Sequence, residues 1–162
     1  MRKTVAVLIA GVSFATVFTS AGAQQLPKSG SISFHTGWKD AFEVNDVAEK
    51  RYRGWDHSVG STFNDRGAGP LHLGPANCYS AFFVVEGNGS NKGYCAFGDP
   101  DGDRLFTEFT GTLSPNGAEG INTIASGTEK YSGITGSGPR KCKLSGKNGE
   151  LQCAQRLDYR LL

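Results

Sequence analysis

Three histidines, His35, His57 and His72, are the side chains that ordinarily titrate near neutral pH. Nucleophilic catalysis would need an activated Ser or Cys beside one of them. The chain has no G-x-S-x-G, and Ser137 in "GSG" runs into Pro139 and a strand pattern rather than a helix. The histidines lack zinc-like spacing and none sits in an H-E-x-x-H frame. In "DPDGD", Asp99, Asp101 and Asp103 fall at i, i+2 and i+4, the opening pattern of a calcium loop. The sixth and twelfth positions of such a loop would be Arg104 and Thr110, neither of which fits. Pro-Asp-Gly between strands is a turn in its own right, so a turn is expected and calcium at the three aspartates is the alternative. Glu108 stands between Phe106 and Thr110. Facing inward it would be an acid or base with a raised pKa; facing outward, the commoner fate, it solubilises a wall.

The aromatic set Trp38, Tyr52, Trp55, Phe82, Phe83, Tyr94 and Phe97 suits a core or a subunit interface, or the lining of an apolar ligand cavity. In the cavity reading, His35, Trp55, His57, Tyr94 and Glu108 are the ligand-contact candidates. No catalytic residue is assigned and no cofactor is expected.

The N-terminus defines the compartment. Met1-Arg2-Lys3-Thr4 is basic, Val5 to Phe18 is apolar, and Ala21-Gly22-Ala23 closes an A-x-A site. The pattern predicts a secretory signal peptide over 1–23, which would leave a single domain over 24–162 in the periplasm or secreted medium. The apolar run is shorter than the roughly 20 residues that span a bilayer, so no membrane association is expected after cleavage. Cleavage also leaves 15 basic against 15 acidic residues. The densest basic group, Arg140, Lys141, Lys143 and Lys147, lies along a hairpin and reads as edge protection. Nucleic acid is therefore not an expected partner.

Four cysteines in an exported chain argue for two disulfides. In "CKLSGKNGELQC" a turn at Asn148-Gly149 sets Leu144 opposite Leu151 and Cys142 opposite Cys153. Cys78 and Cys95 then pair by default.

Period-two patterns dominate and helical periodicity is weak. From Gly149 to Leu162, Leu151, Cys153, Gln155, Leu157, Tyr159 and Leu161 share one face of a strand. Further strands are expected in "SISFHTGW" (31–38), "GYCAFGD" (93–99), "DRLFTEFTGT" (103–112) and "EGINTIAS" (119–126). "YSAFFVVEG" (79–87) is a continuous apolar run, expected to be covered on both faces. The region 39–78 is less readable, with a loop at "RGAGPLHLGPAN". About eight short antiparallel strands with Gly-rich turns make an all-β, disulfide-containing barrel, in which closure removes exposed edges.

"IASGTEKYSGITGSG" (124–138) could be a phosphate loop, a linker or a corner. A phosphate loop needs a helix to follow it, and here a strand follows. Ile124, Tyr131 and Ile134 call for burial, which a linker does not provide. A corner is expected, with a single turn around Glu129-Lys130-Tyr131. This segment resembles the I-T-G-G-[ST]-G-x-[FY]-x-G-x-x-G signature of the allene oxide cyclase barrel, itself close to that of the dirigent proteins, and "GYCAFGDPDGDRLFTEFTGT" resembles the strands before it. The resemblance covers 93–138 and implies an eight-stranded barrel with a central cavity, trimeric in plant members. It does not carry over the plant activity, because "SISFHTGW" lacks the first-strand Glu of the plant Y-E-x-N-E pattern. The expected function is binding of a small apolar ligand, or service as a non-catalytic secreted module. An isomerase or cyclase acting in the cavity is the alternative.

Overall fold

The computed structural model describes residues 25–145 and 149–162. The signal peptide expected over 1–23 lies outside them, as does Asn148 of the expected turn.

Eight strands follow in sequence: β1 (Ser29–Ala48), β2 (Arg51–Asn64), β3 (Pro75–Val85), β4 (Asn88–Gly98), β5 (Arg104–Ser114), β6 (Gly117–Gly127), β7 (Ile134–Leu144) and β8 (Glu150–Leu161). Each pairs antiparallel with the next, and β8 returns to β1 from Arg160 opposite Ser29 to Glu150 opposite Lys39. The barrel is closed and no strand is left wholly at an edge. Among the described residues no helix is long and apolar enough to cross a membrane.

Alternation decides what fills the cylinder. On β8, Cys153, Gln155, Leu157 and Tyr159 are buried while Gln152, Ala154, Arg156 and Asp158 are exposed. On β1 the buried series is Ile32, Phe34, Thr36 and Trp38. The β3 run departs from expectation. Tyr79 and Phe83 face out and are 55% and 45% exposed, so this strand is half-buried like its neighbours. A single closed sheet has only its inner face to offer a core.

The two disulfides are Cys78–Cys95 and Cys142–Cys153, each between directly opposed residues of adjacent strands. Leu144 is opposite Leu151, as the hairpin register requires. Two covalent ties of this kind suit an oxidising compartment.

The two ends of the barrel differ. One end is plugged by the β2–β3 loop, whose Leu71 is buried, and by the β6–β7 corner, whose Tyr131 is fully buried. The corner is one 3-10 turn, Glu129–Tyr131, leading directly into β7. Gly133 and Gly136 there have φ of 73° and 147°, a region that side chains disfavour. Gly136 would also place a Cβ 2.1 Å from the Asp158 carbonyl of β8. These glycines let the chain swing back against β8, which answers the corner reading of 124–138.

Asp99 joins the parts of this plug. Its Oδ1 accepts the Leu71 N–H at 2.6 Å, and its Oδ2 accepts the Tyr131 hydroxyl. Burial first, and then the neighbouring Asp99 carboxylate, push the Tyr131 phenol well above its ordinary range, so it stays a donor. At the opposite end, β1 outruns β8. Asp40 N–H donates to Gly149 O at 2.8 Å, and the β1–β2 hairpin continues to Ala48 opposite Arg51.

Candidate functional site

Above the plug, a buried polar layer crosses the cylinder. Gln155 Nε2 donates to Thr36 Oγ1 at 3.0 Å, and Asn122 Nδ2 donates to Gln155 Oε1. Above Gln155 the barrel opens into a cavity of about 400 Å³, with walls that include Trp38, Phe42, Phe82, Val84, Phe109 and Leu151. Phe42 meets Phe82 edge to face, with ring centroids 6.5 Å apart. The Phe109 ring lies across β4 because Gly93 has no side chain. A Cβ there would sit 2.8 Å from Phe109 Cζ. All four cysteines also line this space.

Three charged side chains enter it, Asp40 from β1, Asp56 from β2 and Arg140 from β7. Asp56 accepts from Ser58 Oγ at 3.1 Å and from Ser80 Oγ. The Arg140 guanidinium carbon stands 3.8 Å from the centroid of Phe109, a cation–π contact. Burial pulls Arg140 down to about 10, with the Asp56 and then the Asp40 carboxylate opposing the shift. Burial raises the Asp40 carboxyl above the usual range. The Asp56 charge adds to that, while Ser58 and Arg140 oppose it.

Three buried polar atoms in this cavity have no hydrogen-bond partner: Asp40 Oδ1, Asn91 Oδ1 and Arg140 Nε. Orphaned buried groups cost about 1–3 kcal/mol each, so these three atoms carry hydrogen-bonding capacity that the chain itself does not use.

The five expected ligand contacts all lie elsewhere, on the outer wall. His35 is exposed, 3.0 Å from Asp65 Oδ1 and stacked on Phe63. His57 stacks on Tyr79 at 4.2 Å, with Nε2 3.2 Å from Asn77 Oδ1. Trp55 and Tyr94 are 46% and 65% exposed, and Glu108 faces outward too. Trp55, Tyr94 and Glu108 do come together, along a groove on the outer surface. The aromatic set is divided between the faces: Trp38, Tyr52 and Phe82 line the cavity and Phe97 is core, whereas Trp55, Phe83 and Tyr94 face outward.

Asp99, Asp101 and Asp103 converge on an ammonium. Lys130 Nζ is 2.9, 2.7 and 3.4 Å from their carboxylates. Among the described residues no group of three or more His, Cys, Asp and Glu side chains is arranged to hold a metal ion.

Asp40, Asp56 and Arg140 are not among the expected site residues, and Arg140 departs from the basic edge in which the sequence places it. Alternation held the clue. Cys142 must face inward to meet Cys153, so Arg140 two residues earlier faces inward as well, leaving Lys141 and Lys143 outside. Likewise Asp40 continues the series Phe34, Thr36, Trp38. No protein-family model and no curated protein matches the chain.

Proposed function

We propose that this chain is an exported β-barrel that binds a small, mainly apolar molecule in its lumen, and that it is related to the allene oxide cyclase barrel. The observation that carries the reading is the cavity of about 400 Å³, walled by aromatic and aliphatic side chains with three orphaned polar atoms inside. Apolar lining with a few placed polar groups is the usual make-up of a small-molecule site. A purely structural module would gain stability by filling this space, since unfilled core volume is destabilising. The family relation rests on the segment 93–138 alone. The plant carboxylate is not replaced at its own position, but Asp40 and Asp56 put carboxylates into the lumen from β1 and β2.

Native mass spectrometry of protein purified from its own host tests the reading. A retained small molecule, displaced by a fluorescent apolar probe, is the expected result. A probe that fails to bind the ligand-stripped protein would refute lumenal binding.

A second reading is isomerase or cyclase chemistry in the same lumen. It is favoured by Asp40, a carboxyl whose pKa is raised by burial and whose Oδ1 has no partner. A carboxyl raised by burial is a better proton donor or acceptor for such chemistry than a solvated one. Turnover of a bound ligand that stops in Asp40→Asn without loss of binding would establish it.

A further inference from the structure

Three facts about the lumen bear on what the polar end of its ligand must be. The charged side chains lining it are Asp40, Asp56 and Arg140, two acidic against one basic. Burial opposes the Arg140 charge, which is favoured chiefly by Asp56 and then by Asp40. Asp56 is already satisfied by the hydroxyls of Ser58 and Ser80. That leaves Asp40 Oδ1 without a hydrogen bond and sharing the single Arg140 cation with Asp56; elsewhere in the same cavity Asn91 Oδ1 is a second unpartnered acceptor and Arg140 Nε an unpartnered donor. The cavity wall also carries aromatic rings of the kind that attract cations, as the Phe109 face already does with Arg140.

We propose that the lumen selects an amine, bound as its ammonium with an N–H donated to Asp40 Oδ1 and its apolar chain along the wall that includes Trp38 and Phe82. This deepens the lumenal-binding reading and rests on it. The ammonium balances the second carboxylate, so the filled site holds two negative and two positive charges. A hydroxyl could donate to one acceptor but would leave the carboxylate uncompensated. A carboxylate would bring a third negative charge into a low-dielectric space, where like charges repel strongly.

The binding is pH-dependent, because a protonated Asp40 offers the ammonium no charge. The titratable or charged groups facing Asp40 across the lumen are Asp56 and Tyr52 of β2 and Arg140 of β7. The lumen-lining residues of β3, β4, β5 and β8, among them Ser80, Asn91, Phe109 and Gln155, do not titrate.

The test is calorimetric titration of the ligand-stripped, disulfide-intact protein at pH 8 with octylamine, octanol and octanoate. The expected order is octylamine at least tenfold tighter than octanol, with octanoate weakest. In Asp40→Asn, checked for a native circular dichroism spectrum, octylamine falls to the level of octanol while octanol itself is unchanged. Lowering the pH to 4 weakens octylamine and spares octanol. Octanol or octanoate binding as tightly as octylamine would overturn the amine inference and leave lumenal binding standing. If none of the three binds and an apolar fluorescent probe is also ignored, the lumenal reading itself falls.

Discussion

Lys130 Nζ lies 2.9 Å from Asp99 Oδ2, across the plug that closes one end of the barrel. Both side chains are largely buried, at 12% and 3% exposure. The lysine fills the centre of the Asp99, Asp101, Asp103 turn where a metal cation would otherwise have to sit. Its own pKa is held up by Asp101 and Asp99 against the opposing effect of burial. Lys130→Met leaves Asp99 without its cation and is expected to cost about 3 kcal/mol in urea unfolding. Millimolar calcium should leave the melting temperature of the parent unchanged. Calcium stabilisation of the parent would show that the carboxylates are free to bind a metal.

The disulfides close loops of sequence separation 17 and 11. By chain entropy each contributes about 3 kcal/mol, with native strain able to reduce it. Cys142→Ala/Cys153→Ala and Cys78→Ala/Cys95→Ala should each lose close to that amount in denaturant titrations. Because all four cysteines line the lumen, each double variant should also weaken binding of an apolar probe.

Asp40 makes a pH-dependent contribution whose sign follows from burial. Its carboxyl is raised, so the folded chain holds a proton that the unfolded chain has released. The associated stability is complete below the ordinary carboxyl range and is lost as pH rises through the raised value. Asp40→Asn should therefore melt above the parent at pH 7 and alongside it at pH 3. A variant that is less stable than the parent at pH 7 would contradict this placement of Asp40.

The two tryptophans report on opposite faces. Trp38 lines the lumen and Trp55 is outside. A ligand entering the lumen should change the emission of Trp55→Phe by at least as large a fraction as that of the parent, and leave Trp38→Phe silent. The reverse pattern would move the site to the outer groove beside Trp55, Tyr94 and Glu108.

The outer wall carries Trp55, Val59, Tyr79, Phe83 and Tyr94, each nearly half exposed or more. The trimer implied by the family resemblance is proposed to form on this face. Sedimentation of the parent should exceed a monomer's, and Tyr79→Glu/Tyr94→Glu should sediment as a monomer with an unchanged far-ultraviolet spectrum. A parent that sediments as a monomer at high concentration would remove the assembly.

What the sequence by itself determined was local. Alternation from Leu151 to Leu161 identified a half-buried strand, because a pleated chain turns successive side chains to opposite faces. The spacing of "CKLSGKNGELQC" paired Cys142 with Cys153, because a short hairpin sets its own register. Bulky Tyr131 among glycines marked a corner, because few other uses of that composition bury a tyrosine. The tertiary structure decided which wall was which. Both faces of this barrel carry aromatics, so the types of Trp38 and Trp55 or of Phe82 and Phe83 cannot tell inside from outside; the closed sheet can. Closure also brought together Asp40, Asp56 and Arg140 from the first, second and seventh strands, and Lys130 with Asp99 across two loops. Such meetings depend on the stagger of all eight strands around the cylinder, a property no single segment contains.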